Sequence, residues 1–161
     1  MTGIVVIDKP SGWTSFDVIA KLRRALHEKR IGHGGTLDPM ATGVLPVFVG
    51  RATRAVEFME SADKEYLAGV RFGFTTDTQD ITGAVLTESG IQPTEAEIEA
   101  ALRTFLGKQE QLPPLYSAIK VDGKKLYEYA RAGKDVERKA RQIEITEIVP
   151  LGFSEDGEYR F

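Results

Sequence analysis

Gly32-His33-Gly34-Gly35-Thr36-Leu37-Asp38-Pro39-Met40-Ala41-Thr42-Gly43-Val44-Leu45-Pro46 is the densest stretch of the chain. Three glycines ahead of an acid make a backbone that something can approach closely, or that takes positive φ. Pro39 fixes φ just after Asp38, and a residue before proline is biased away from helix. Thr36 and Thr42 add hydroxyls. A chain built this way holds one carboxylate rigidly in a loop. Two readings of Asp38 stand side by side: a functional acid, or an Asp-Pro turn closed by an Asx hydrogen bond.

Upstream, Gly3 to Ile7 is a short apolar strand that ends in the turn Asp8-Lys9-Pro10-Ser11-Gly12. Thr14 or Ser15 can cap a helix, with Asp17 placed for a capping box from Thr14. Val18, Ile19, Leu22 and Leu26 then recur at helical spacing to about His27. Residues 31–43 read as a loop. Val44 to Val49 reads as a buried strand, with Pro46 marking an edge or an irregularity. Residues 53–60 read as a short helix.

Downstream, Tyr66 to Phe74 alternates as a strand, 75–83 is a polar loop, and Ala84 to Thr87 is another strand. Thr94 with Glu97 is a second capping box. The helix behind it carries Ile98, Leu102, Phe105 and Leu106 on one face. Pro113-Pro114 marks a rigid extended turn. Val121-Asp122-Gly123-Lys124 reads as a hairpin turn. Leu126 to Ala132 is a short helix stopped by Gly133. Ile143, Ile145 and Ile148 belong to a strand region, and Ser154-Glu155-Asp156-Gly157 turns into a last strand at Tyr159. Strands and helices mix without a regular βαβ rhythm, so the expected class is α+β. Glu158 to Phe161 looks like the start of a return strand whose hydrogen bonds are left unmade, as if the chain were cut inside a domain.

The 161 residues fit one domain with a real core. An apolar share of 42% and a charged share of 28% belong to a soluble globular protein. With no cysteine, disulfides, thiolate metal sites and thiol nucleophiles are excluded. No apolar run approaches the roughly 20 residues that cross a bilayer, and no secretory signal is visible, so a cytoplasmic protein without membrane contact is expected. The net charge of −3 argues mildly against a nucleic-acid binder. Its distribution softens that, because basic residues gather at 21–30 and again between Lys120 and Arg141, away from the carboxylates at 88–99. Either cluster also reads as an ordinary solvated face.

Five motifs in order resemble the TruB family of tRNA pseudouridine synthases. They are Lys9-Pro10-Ser11-Gly12-Trp13-Thr14-Ser15, the loop around Asp38, Lys64-Glu65-Tyr66, Thr76-Asp77-Thr78-Gln79-Asp80, and Gln111-Leu112-Pro113-Pro114-Leu115-Tyr116-Ser117-Ala118-Ile119-Lys120. The resemblance implies a pseudouridine synthase fold: a mixed, mainly antiparallel sheet with flanking helices. It implies isomerisation of uridine to pseudouridine at position fifty-five, in the tRNA T-loop, with Asp38 as the catalytic carboxylate. Tyr66 resembles the tyrosine that stacks on the target base, against a plain reading as a half-buried strand tyrosine. His33 resembles the histidine that packs into the RNA loop near the extruded base. Asp80 resembles the acid that orders the active site, against a plain loop cap. Lys9 and Lys120 either contact phosphate or hold the fold.

The partner implied is the T-arm stem-loop of tRNA, with no obligate protein partner, no metal and no cofactor, since the reaction is neither redox nor hydrolytic. Residues 1–161 then form an incomplete catalytic domain. The family's later strand, whose arginine pairs with the catalytic aspartate, and its C-terminal RNA-binding region are absent. The isolated fragment is therefore expected to be a weak or inactive catalyst. Three alternatives remain: an RNA-binding module that grips a T-arm-like loop without turnover, a guide-RNA-dependent relative, and a retaining glycosidase using Asp38 with Asp80.

Overall fold

The computed structural model describes residues 1–59, 61–117, 119–134 and 136–161. They divide into two units, Met1–Glu65 and Tyr66–Phe161.

In the first unit, strand β1 (Gly3–Lys9) leads to helix α1 (Ser15–Ala25), then to β2 (Ile31–His33), β3 (Gly43–Val49) and a 3₁₀ helix, Gly50–Met59. The Thr14–Asp17 capping box is formed in both directions, so α1 starts where the sequence predicts. The strands make one antiparallel sheet in the order β1-β3-β2. The period of two along β3 turns Leu45, Val47 and Val49 to one face. There they meet Val18 and Ile19 of α1 and Ile31 of β2, with Val5, Ile7, Trp13, Leu22, Leu26 and Leu37 packed around them. Each such buried side chain stabilises the unit by about 1.5–3 kcal/mol.

Pro46 departs from expectation, because it sits in the central strand, opposite Val6 of β1. Its carbonyl accepts from Gly34 N–H at 2.9 Å, just beyond the last β2 pair at His33. A strand residue points its N–H and C=O to the same neighbour. The missing donor of Pro46 therefore falls where the β2 ladder stops, and proline is tolerated there.

In the second unit, β4 (Gly69–Val70) precedes the hairpin of β5 (Phe74–Thr76) and β6 (Val85–Glu88). Helix α2 (Glu95–Arg103) follows, opened by the complete Thr94–Glu97 capping box. Next come β7 (Gly107–Gln111), the hairpin of β8 (Lys120–Val121) and β9 (Lys124–Lys125), α3 (Leu126–Arg131), β10 (Arg141–Ile145), β11 (Gly152–Phe153) and β12 (Tyr159–Arg160). Every strand pairing among the described residues is antiparallel, and the class is α+β.

Several expectations are corrected here. The strand expected over 66–74 is two short strands, interrupted where Gly73 takes φ +94° and accepts from Ser89. The helix expected to reach Leu106 ends at Arg103, and Phe105 and Leu106 are exposed. Strand β7 went unread because Gly107-Lys108-Gln109-Glu110-Gln111 has no apolar alternation; it pairs with β10 along its whole length. The last strand is not left unpaired. β12 lies between β11 and β4, Phe161 exchanges hydrogen bonds with Ala68, and Tyr159 is buried edge-on against Phe153.

Candidate active site

The loop between β2 and β3 is tied down on both sides of Asp38. The Ser15 hydroxyl, buried at the first position of α1, accepts from Leu37 N–H at 3.0 Å and donates to the Leu37 carbonyl at 3.2 Å. On the other side, the Pro39 carbonyl accepts from Gly12 N–H at 2.8 Å and from the Lys9 ammonium at 3.3 Å. The Ser11 hydroxyl donates to the Met40 carbonyl at 3.2 Å. Asp38's own carbonyl accepts from Ala41 N–H at 3.0 Å, closing a β-turn with Pro39 at its second position, where proline's fixed φ suits the turn.

The Asp38 side chain itself is exposed and makes no hydrogen bond or ion pair among the described residues. The Asx hydrogen bond of the plain turn reading is therefore not formed. Backbone contacts hold the residue, and its carboxylate faces solvent.

His33 stands at the end of β2, half-buried, with Nδ1 against the Gly35 carbonyl. A carbonyl only accepts, so this contact needs the proton on Nδ1. Gly34 packs so closely that a Cβ there would lie 2.7 Å from Met59 Cγ and 2.9 Å from Phe48 Cε2.

Lys9 has no exposed surface. Its ammonium donates to the carbonyls of Pro10 at 3.0 Å, Trp13 at 2.6 Å and Pro39 at 3.3 Å. Its three donors are matched by three carbonyls inside the fold, which leaves none for a phosphate. Of the two readings of Lys9, phosphate contact or holding the fold, this geometry favours the second.

In the second unit, Tyr66 is 68% exposed and lies before β4, which corrects the half-buried strand reading. Asp80 Oδ1 accepts from Thr78 Oγ1 at 2.8 Å, Thr82 N–H at 2.8 Å and Thr82 Oγ1 at 2.6 Å. Partial burial pushes the Asp80 carboxyl up, but the two hydroxyls and the N–H outweigh it and hold the group below the usual aspartate range. A glycosidase acid needs a raised pKa, so Asp80 is a poor candidate for one. Its carboxylate orders its own loop. Asp77 Oδ1 does the same, accepting from Ala84 N–H at 2.8 Å.

Lys120 is exposed on β8 and unpaired among the described residues. Asp122 and Gly123, both at positive φ, turn β8 into β9, as the hairpin reading requires. Beyond the turn, Lys125 and Arg131 flank the Tyr127 ring at 5.4 and 5.2 Å. Lys9 at the end of β1 and His33 at the end of β2 thus flank the braced loop that carries Asp38. Tyr66, Asp80 and Lys120 stand on three separate elements, with no hydrogen bond or ion pair joining them. Among the described residues, no group of three or more His, Asp and Glu is placed to hold a metal ion.

Residues 23–161 match the model of the TruB family pseudouridylate synthase N-terminal domain. The chain belongs to the TruB family. The tRNA pseudouridine synthase B of Lactococcus lactis subsp. cremoris is 54% identical over 151 residues, covering 92% of this chain and 46% of that protein. The protein of the same name from Streptococcus thermophilus is 50% identical over 165 residues, covering the whole chain and 56% of that protein. The chain therefore spans about half the length of the curated TruB relatives it matches. Among solved structures, a chain of a Cbf5-Nop10-Gar1 complex superposes with a TM-score of 0.68 at 30% identity, over 98% of this chain and 37% of that one. The pseudouridine synthase fold is shown by this match together with the family model.

Sequence reasoning missed the TruB loop's braces, Ser11, Gly12 and Ser15. Their signal was present in the motif from Lys9 to Ser15, but the partners lie more than 20 residues downstream.

Proposed function

We propose that this chain is the catalytic portion of an enzyme that converts uridine to pseudouridine in the T-loop of tRNA, with Asp38 as the catalytic carboxylate. The observation that carries this reading is the contrast at residue 38: the backbone is fixed on both sides, while the carboxylate is exposed and unpartnered. A held acid can act as nucleophile at C1′ or on the uracil ring, or take a proton from the sugar. The C1′–N1 bond breaks, the base turns, a C1′–C5 bond forms, and the proton lost from C5 is balanced by one gained at N1. No electrons or water are consumed.

The target base must leave its stack to be reached. Exposed Tyr66 is suited to receive it, since stacking on an aromatic ring is worth about 1–3 kcal/mol per base. His33 sits at the base of the braced loop, with Nδ1 engaged by the Gly35 carbonyl and Nε2 left for the RNA. Lys120 and the basic residues around the β8–β9 hairpin supply cations for phosphates. Asp80 serves by keeping its loop in one shape. No helix among the described residues is long and apolar enough to cross a membrane. A tRNA substrate places the protein in the cytoplasm, and the T-arm stem-loop is the partner, with no obligate protein subunit.

One observation favours a second reading, an RNA-binding module without turnover: Asp38 has no cation beside it among the described residues. An opposite charge at close range would keep such a carboxylate ionised and oriented. A single-turnover assay on a T-arm hairpin separates the two. Conversion that disappears in Asp38→Asn while binding persists supports the enzyme. Conversion that survives Asp38→Asn refutes the role of Asp38, and binding without any conversion by the unaltered chain favours the module.

A further inference from the structure

We propose that Ser15 is a positioning residue for Asp38, acting by clamping both polar groups of Leu37. This rests on the reading of Asp38 as the catalytic carboxylate.

The geometry is specific. One hydroxyl accepts from the N–H of Leu37 at 3.0 Å and donates to its carbonyl at 3.2 Å. Those groups lie on either side of the Leu37 Cα, so the two bonds restrict both of its backbone dihedrals. The carbonyl belongs to the peptide that joins Leu37 to Asp38. Its plane sets the direction from which the Asp38 side chain departs. Ser15 itself is 3% exposed and stands in the first turn of α1, whose Val18 and Ile19 lie in the core. Leu37 packs against the same core. The clamp therefore refers the orientation of Asp38 to the buried core of the unit. The ties from Lys9, Gly12 and Ser11 act after Asp38, on Pro39 and Met40. Before Asp38, Gly34 and Gly35 are tied further upstream, to Pro46 and His33, and the hydrogen bonds on the residue that leads directly into Asp38 come from Ser15.

The test compares Ser15→Ala, which deletes both bonds, with Ser15→Thr, which keeps the hydroxyl, in the protein at its full natural length. Ser15→Cys keeps the shape and weakens both bonds, and serves where Ser15→Ala does not fold. Amide exchange is read at Leu37 and, as a measure of overall folding, at Val47 and Val49. Kinetics are read on a T-arm hairpin. The expected result is selective loss of protection at Leu37, a kcat lower by about 10- to 100-fold with KM little changed, and recovery in Ser15→Thr. Unchanged kcat in Ser15→Ala overturns the proposal, as does a loss of activity that tracks equal loss of protection at Val47 and Val49. An unaltered protein that binds the hairpin without converting it overturns the catalytic reading and this role with it. Exchange at Leu37 distinguishes that case, because it does not depend on turnover.

Discussion

Lys9 lies under Pro39: its ammonium, shut off from solvent, donates to the Pro39 carbonyl at 3.3 Å across thirty residues of sequence. The end of β1 is thereby bonded to the residue that follows Asp38. Two nearer carbonyls, of Pro10 and Trp13, complete the set. Lys9→Met fills the same space and takes this donor from the carbonyls of Pro10 and Trp13, while the Pro39 carbonyl keeps only Gly12 N–H. The expected loss is about 2–3 kcal/mol of stability, read from the urea midpoint. Lys9→Arg should not restore it, because a planar guanidinium cannot reach three carbonyls gathered around a point charge.

Gly34 is closely packed by two side chains. A methyl group added there meets Met59 and Phe48 well inside contact distance. Gly34→Ala should cost about 1–3 kcal/mol by overpacking. Met59→Ala in the same chain should recover part of that loss, because Met59 is the nearer neighbour. Additive losses in a double-mutant cycle would show that the two do not meet.

The Asp80 loop should loosen in acid. Folding lowers this carboxyl's pKa, so its contribution is complete above the unfolded value of about 3.9 and fades as pH falls through the lower folded value. The Thr82 amide proton, followed by NMR, should shift with a midpoint below the ordinary aspartate value. Asp80→Asn should abolish that titration. A midpoint at or above the ordinary value would contradict the hydrogen bonds as the controlling influence.

Lys120 should act on RNA through charge alone. Lys120→Ala should weaken binding of a T-arm hairpin similarly across loop sequences. It should also reduce the slope of log K against log salt by about 0.7 if the phosphate lies in single strand. An unchanged slope would remove Lys120 from the phosphate contacts.

Features built from neighbouring residues were legible in the sequence. Thr14 with Asp17 and Thr94 with Glu97 cap their helices as read, because a capping box spans only three residues. Asp122-Gly123 announced its turn for the same reason, since positive φ is a local demand. Features that depend on a distant partner were not legible. Pro46 was tolerable in a central strand only because β2 ends at His33. Strand β7 owes its existence to β10, not to its own polar sequence. At the candidate site, the glycines, Pro39 and the family pattern pointed to Asp38. The burial of Lys9 and the bonds from Ser15 to Leu37 arise only when the loop folds back over the start of α1.

Trp13 is the one tryptophan of the chain. Its carbonyl is among the three that hold Lys9, and its ring lies 5.5 Å from the Lys21 ammonium. The indole is thus built into the segment that anchors the Asp38 loop, half-buried and next to an exposed cation. Its fluorescence belongs to this one place, so emission intensity and wavelength give an unlabelled optical signal for any event that shifts the anchor. Stopped-flow mixing with RNA can then time the docking step apart from the chemistry, without a dye on either molecule.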